Sequence, residues 1–187
     1  MAQQKELTQI YGFGHSQASK AAWANRKVEK SAQSAILSEK EESALLRYFS
    51  GESYTLNSKL RQGLELEPYE EELMYDIDAA LYKLPKYTGK VIRDLIFDYF
   101  DDEKEFENLH GVGTIVTYPT FTSSSTLDSY QDNPIIRLSI KSKNGKDLRK
   151  YNFEEGEILF QRNSRFFIQN KYRKNGMLII EMEELYE

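Results

Sequence analysis

At Pro85 the apolar residues of this chain change their period, and that change bounds the folds open to it. Before Pro85 they recur at helical spacing. Tyr69, Leu73, Ile77, Leu81 and Leu84 make one stripe over residues 68–84, with Pro68 in the first turn. Residues 38–49 open on a capping box, Ser38 with Glu41, and set Ala44, Leu45, Tyr48 and Phe49 on one face before Ser50-Gly51-Glu52 stops the helix. A shorter helix is expected over 53–61, ended by Gly63. After Pro85 come short β-prone runs at 89–96, 114–118, 121–125, 135–141, 157–160, 165–172 and 177–185. Asn144-Gly145 and Lys174-Asn175-Gly176 read as turns between strands. The acidic, aromatic stretch 98–110 reads as an exposed loop or short helix, and 126–132 as one helical turn. Helices first and strands afterwards predict an α+β fold.

Composition removes several function classes. A chain of 187 residues fits one domain with its own core, and 13 % aromatic residues rule out a disordered chain. The net charge is −5, with acids and bases mixed along the sequence, which argues against a nucleic-acid backbone as partner. Without cysteine there is no disulfide framework, no thiolate nucleophile and no Cys-bound zinc. Such a chain can also unfold for translocation without rearranging bonds. No apolar run approaches the ~20 residues of a membrane span. Residues 1–6 lack a basic-then-apolar signal, so an export signal is expected outside this chain. Residues 1–36 are polar and read as an arm or linker, with a turn at 11–14 and a helix at 17–36. His15, in that arm, has no partner at metal-ligand spacing.

The candidate chemistry lies in Phe153-Glu154-Glu155-Gly156-Glu157-Ile158-Leu159-Phe160. If Glu157 opens the strand, Glu155 and Glu157 point to the same side. Two carboxylates held together can divide labour, one at a cation-like sugar and the other at a nucleophile. Six other Glu-x-Glu spacings, Glu39/Glu41 among them, read as solvated faces. This copy differs in its company. Val91-Ile92-Arg93 and Phe121-Thr122-Ser123-Ser124-Ser125 precede it on their own strands, and Ser164-Arg165-Phe166 follows. An Arg strand, a serine strand and a Glu-x-Glu strand in that order resemble the arginine-specific mono-ADP-ribosyltransferases. The likeness is greatest to the bacterial exotoxin branch, which includes the actin-modifying binary toxins. It extends from Leu37 to the C-terminus.

That resemblance implies two packed, mainly antiparallel sheets around an NAD cleft, with N-terminal helices, in a catalytic domain over 37–187. It implies transfer of ADP-ribose from NAD to an arginine of a target protein, with release of nicotinamide and no metal. Arg93 would pair with phosphate or ribose oxygens. Ser123 would bind near the nicotinamide ribose and orient Glu157. Glu157 would stabilise the oxocarbenium-like state, and Glu155 would bind the acceptor guanidinium and take its proton. Side chains of Arg93, Ser123 and Glu157 are expected to converge on one cleft. Phe153, on the turn before the pair, would either press on the protein acceptor or pack locally. Relatives carry Gly after the Arg; here Asp94 stands there, which alters the nicotinamide contacts and adds Asp94 to the NAD-contacting set. The implied protein is a monomeric secreted or injected effector, with a delivery component or immunity protein as further partners. Two alternatives stay open: an NAD glycohydrolase on the same fold, and an inactive binding module.

Overall fold

The computed structural model describes residues 36–97, 99–128 and 133–186. The expected turn at 11–14, His15 and nearly all of the expected helix at 17–36 lie outside these residues, as does most of the turn expected at 126–132. The chain divides into two compact units at the junction of Leu84 and Pro85, where the sequence changes period.

The first unit is helical. α1 (Glu39–Arg47) starts on the expected capping box: Glu41 N donates to Ser38 Oγ at 3.2 Å, and Ser38 N donates to Glu41 Oε2 at 2.7 Å. This helix is broken at Ser50-Gly51-Glu52 as expected: Gly51 takes φ 116°, outside helical geometry, and kinks the chain within a π-type turn, Tyr48–Glu52, before α2 (Ser53–Gln62) begins. α3 (Pro68–Lys83) is capped by Glu67 and Glu70. Leu73, Ile77 and Leu81 are buried as their spacing requires, but Tyr69 is exposed, and the residue turned inward in the first turn is Glu70, paired with Lys59. Ion pairs tie the helices together, among them Lys83 to Glu41 and Lys59 to Glu70, each at 2.6 Å, and Lys40 to Glu72 at 2.8 Å.

Among the described residues the second unit holds eight strands and one helix. The strands are β1 (Gly89–Leu95), β2 (Ile115–Tyr118), β3 (Thr122–Ser125), β4 (Ile136–Ser142), β5 (Lys146–Asp147), β6 (Glu157–Phe160), β7 (Ser164–Lys174) and β8 (Met177–Glu184). They hydrogen-bond in the order β2-β7-β8-β4-β1-β3-β6-β5. Every neighbouring pair is antiparallel except β4 with β8. The two sheets expected from sequence are therefore the halves of one continuous ladder, joined by the single β1–β3 register pair Ile92 with Ser125. The halves still pack face to face. β6 and β7 stand five places apart in the order, roughly 24 Å if the sheet were flat. Yet the rings of Phe160 on β6 and Phe166 on β7 meet edge to face with centroids 5.1 Å apart. The ladder curls over a core that includes Val91, Leu138, Ile158, Phe160, Phe166 and Ile180.

The acidic stretch after β1 forms a ten-residue helix, α4 (Phe100–Leu109). Asp101 and Glu105 face water as expected, but Glu103 and Glu107 are partly buried and pair with Arg173 at 3.5 and 3.0 Å, while Phe106 is fully buried, tilted on Phe97 and stacked on His110. The short helix is one of the two forms expected for this stretch; periodicity could not choose between them because one buried anchor in ten residues makes no stripe.

Candidate active site

The Glu-x-Glu segment is a tight turn running into β6. Ser125 stands opposite Glu157, Ser124 opposite Ile158 and Ser123 opposite Leu159. The serines at the end of β3 clamp the turn: Ser125 Oγ donates to the Glu155 carbonyl at 2.6 Å, and Ser124 Oγ to the Ile158 carbonyl at 2.7 Å. Thr126 N donates to the Gly156 carbonyl at 2.9 Å. Gly156 has φ +58°, and a Cβ there would lie 2.6 Å from Thr126 Oγ1, so both the turn and its close approach to β3 require glycine.

The carboxylates of the motif differ in exposure. Glu154 points outward, Glu155 is half-buried, and Glu157 is 1 % exposed at the start of β6. Glu155 and Glu157 share a partner that the sequence reading missed. Nδ2 of Asn152 donates to Glu155 Oε2 at 3.0 Å and to Glu157 Oε2 at 2.6 Å. Those oxygens are thus about 5.6 Å apart at most, the length of the two bonds end to end. A buried Asn five residues before a strand glutamate carries no periodic or spacing signal, so only the closed turn shows what it does. Phe153, between them in sequence, is 78 % exposed on the outside of the turn.

Alternation sends Arg93 and Asp94 out on opposite faces of β1. Glu157 lies opposite Ser125, and Ser125 opposite Ile92, so Glu157 shares the face of Ile92 and Asp94. Arg93 reaches the serine strand by another way. Beyond their single register pair β1 and β3 are linked by its guanidinium, whose Nη1 donates to the Ser123 carbonyl at 2.9 Å. The guanidinium at Ser123 and Glu157 opposite Ser125 are therefore attached to β3 two residues apart, roughly 7 Å along the strand. Arg93 and Glu157 are thus both attached to β3 but leave their own strands on opposite faces of the sheet.

Asp94 has a cross-strand partner, Arg137, directly opposite on β4. Arg137 Nε donates to Oδ1 at 2.6 Å and Nη2 to Oδ2 at 2.8 Å, a bidentate fork on a buried carboxylate. This pair balances the charge of Asp94. Among the described residues no group of three His, Asp or Glu side chains is placed to hold a metal ion, and no helix is long and apolar enough to cross a membrane.

No family model matches the chain. Over 177 residues it is 28 % identical to NAD(+)–protein-arginine ADP-ribosyltransferase Tre1 of Serratia proteamaculans, covering 91 % of this chain and 38 % of that protein. Over 152 residues it is 30 % identical to the putative NAD(+)–arginine ADP-ribosyltransferase Mav of Mycobacterium avium, covering 75 % and 18 %. The solved Vis toxin, an ADP-ribosyltransferase from Vibrio splendidus, superimposes with a TM-score of 0.61 at 19 % identity over 97 % of this chain and 90 % of that one. The chain has the ADP-ribosyltransferase fold. Its sequence is similar to these two bacterial proteins, both named as NAD(+)–arginine ADP-ribosyltransferases. It spans well under half the length of these two relatives. Within the ADP-ribosyltransferase fold the Arg, serine and Glu-x-Glu strands occupy β1, β3 and β6.

Proposed function

We propose that residues 37–187 form an NAD-dependent mono-ADP-ribosyltransferase domain that modifies an arginine of a target protein, with residues 1–36 as its arm. The observation that carries this reading is the pairing of Glu155 and Glu157 on one amide. A guanidinium is a poor nucleophile because it stays protonated, with a pKa above ~12. Its modification needs one carboxylate to take up the acceptor's charge and proton beside another that serves the sugar. Hydrolysis needs only the second.

In this mechanism Glu157 accepts a hydrogen bond from the 2′-hydroxyl of the nicotinamide ribose. As the glycosidic bond breaks and nicotinamide leaves with its electron pair, the buried carboxylate stabilises positive charge on the ribose. Glu155, half-buried at the lip of the turn, binds the incoming guanidinium and receives its proton as nitrogen attacks the anomeric carbon. Arg93 pairs with phosphate or ribose oxygens of NAD, and Ser123 contacts the ribose beside it. Asp94, bound to Arg137, adjoins the nicotinamide end. Phe153, outside the turn and exposed, contacts the target protein. The two sequence relatives and the toxin fold support the role of an effector secreted from, or injected by, a bacterium. A delivery component or an immunity protein would be its further partners.

Nicotinamide release with and without an arginine acceptor tests the assignment. Glu157→Gln keeps the size and removes the charge, and should lower both hydrolysis and transfer by about 100-fold or more. Glu155→Gln should cut transfer comparably yet leave much of the slow hydrolysis. Equal loss of both reactions in Glu155→Gln would overturn the division of roles.

A further inference from the structure

We propose that Asn152 is a positioning residue whose side-chain amide locks Glu155 and Glu157 into one working pair. The inference rests on the transferase reading, because it gives the pair the tasks described above.

The geometry leaves the amide one orientation. With Nδ2 towards the carboxylates, each of its two N–H groups serves one oxygen, at 3.0 and 2.6 Å. Turned over, the amide oxygen would stand at those distances from two negative oxygens. Asn152 is 1 % exposed, so water does not readily replace it. Its backbone is held on both sides: Asn152 N donates to the Leu148 carbonyl at 2.8 Å, and its own carbonyl accepts from Glu157 N at 3.4 Å. Leu148, itself buried, donates its N–H to the Glu157 carbonyl at 3.0 Å and closes the turn.

The choice of side chain matters chemically. Two carboxylates this close repel each other, and one tends to take up a proton unless donors favour the charged form. A Lys or Arg would supply donors but cancel the charge needed for a guanidinium. An Asp of the same shape would add a third negative group. An amide supplies two donors and no charge. Its carbonyl oxygen, buried and without a hydrogen-bond partner among the described residues, remains as an acceptor beside the pair for a guanidinium N–H.

Two substitutions and two readouts test the proposal. Asn152→Ala removes the donors, and Asn152→Asp replaces them isosterically with charge. In protein labelled with ¹³C at the glutamate carboxyl carbons, Glu155→Gln and Glu157→Gln assign the two signals. The pair should titrate about one pH unit higher in Asn152→Ala than in the parent chain, and higher still in Asn152→Asp. With agmatine as acceptor, the acid limb of the transfer rate should move up by the same amount. Transfer kcat/KM should fall about 100-fold and hydrolysis about 10-fold. Far-UV circular dichroism checks that both variants fold, and Asn152→Asp keeps the side-chain volume should Asn152→Ala fail. Titrations that coincide with the parent in both variants would overturn the proposal, whatever the rates do. A parent chain that releases no nicotinamide would defeat the transferase reading and still leave the titration to judge the amide.

Discussion

Replacing Gly156 by alanine should disable this site through the backbone alone. Two costs can be worked from the structure. At φ +58° an alanine sits in the left-handed region, at about 1 kcal/mol more than glycine. The new Cβ would also lie 2.6 Å from Thr126 Oγ1, closer than atoms tolerate, and would crowd Leu127 Cγ at 3.2 Å, so the turn must shift away from Thr126. Moving it strains the hydrogen bond from Thr126 N to the Gly156 carbonyl, worth about 1 kcal/mol. The sum is about 2 kcal/mol of stability. Catalysis should suffer more, since a shift of about 1 Å in reacting groups can cost about 100-fold. Urea unfolding followed by circular dichroism measures the first effect, and nicotinamide release the second. Adding Thr126→Ala removes the contacted oxygen but leaves the backbone angle, so the double variant should recover about half of the stability loss. An unchanged unfolding midpoint in Gly156→Ala, or a loss that Thr126→Ala does not touch, would refute the reasoning.

Two further outcomes follow from groups outside the carboxylate pair. Arg137→Ala leaves the buried Asp94 carboxylate without its fork and should cost about 3–5 kcal/mol in a urea titration, much of it restored by adding Asp94→Asn. His110 is buried between Phe106 and Tyr118, with Nδ1 2.7 Å from the Phe106 carbonyl and Nε2 2.6 Å from the Tyr118 hydroxyl. Burial, assisted by the charge of Lys171, pushes its imidazole down from 6.5 to about 4, against the pull of the Phe106 carbonyl. The unfolded chain therefore binds this proton first, and the contribution of His110 is complete above about pH 6.5 and lost as pH falls towards 4. The loss should reach about 3 kcal/mol, and His110→Phe should flatten the dependence of unfolding free energy on pH over that window.

Local sequence determined the elements and the order of the motifs. The capping box at Ser38 and Glu41, the buried stripe Leu73, Ile77 and Leu81, and the change of period at Pro85 are short-range patterns, and each reappears in the fold. So does the succession of Arg93, Ser123 and the Glu-x-Glu pair on strands β1, β3 and β6, because strand propensity and turn residues act over a few positions. Tertiary structure alone decided how those strands meet. One register pair joins β1 to β3, so the ladder curls and Arg93 reaches the serine strand across the join, where alternation by itself would direct it away from Glu157. Asn152 and Arg137 had no signal in sequence either. Their partners are a pair of carboxylates brought round by a closed turn and an aspartate 43 residues away, and such contacts depend on register and chain closure. Periodicity reports which side chains a segment must bury; it does not say which charge will lie opposite once strands distant in sequence have paired.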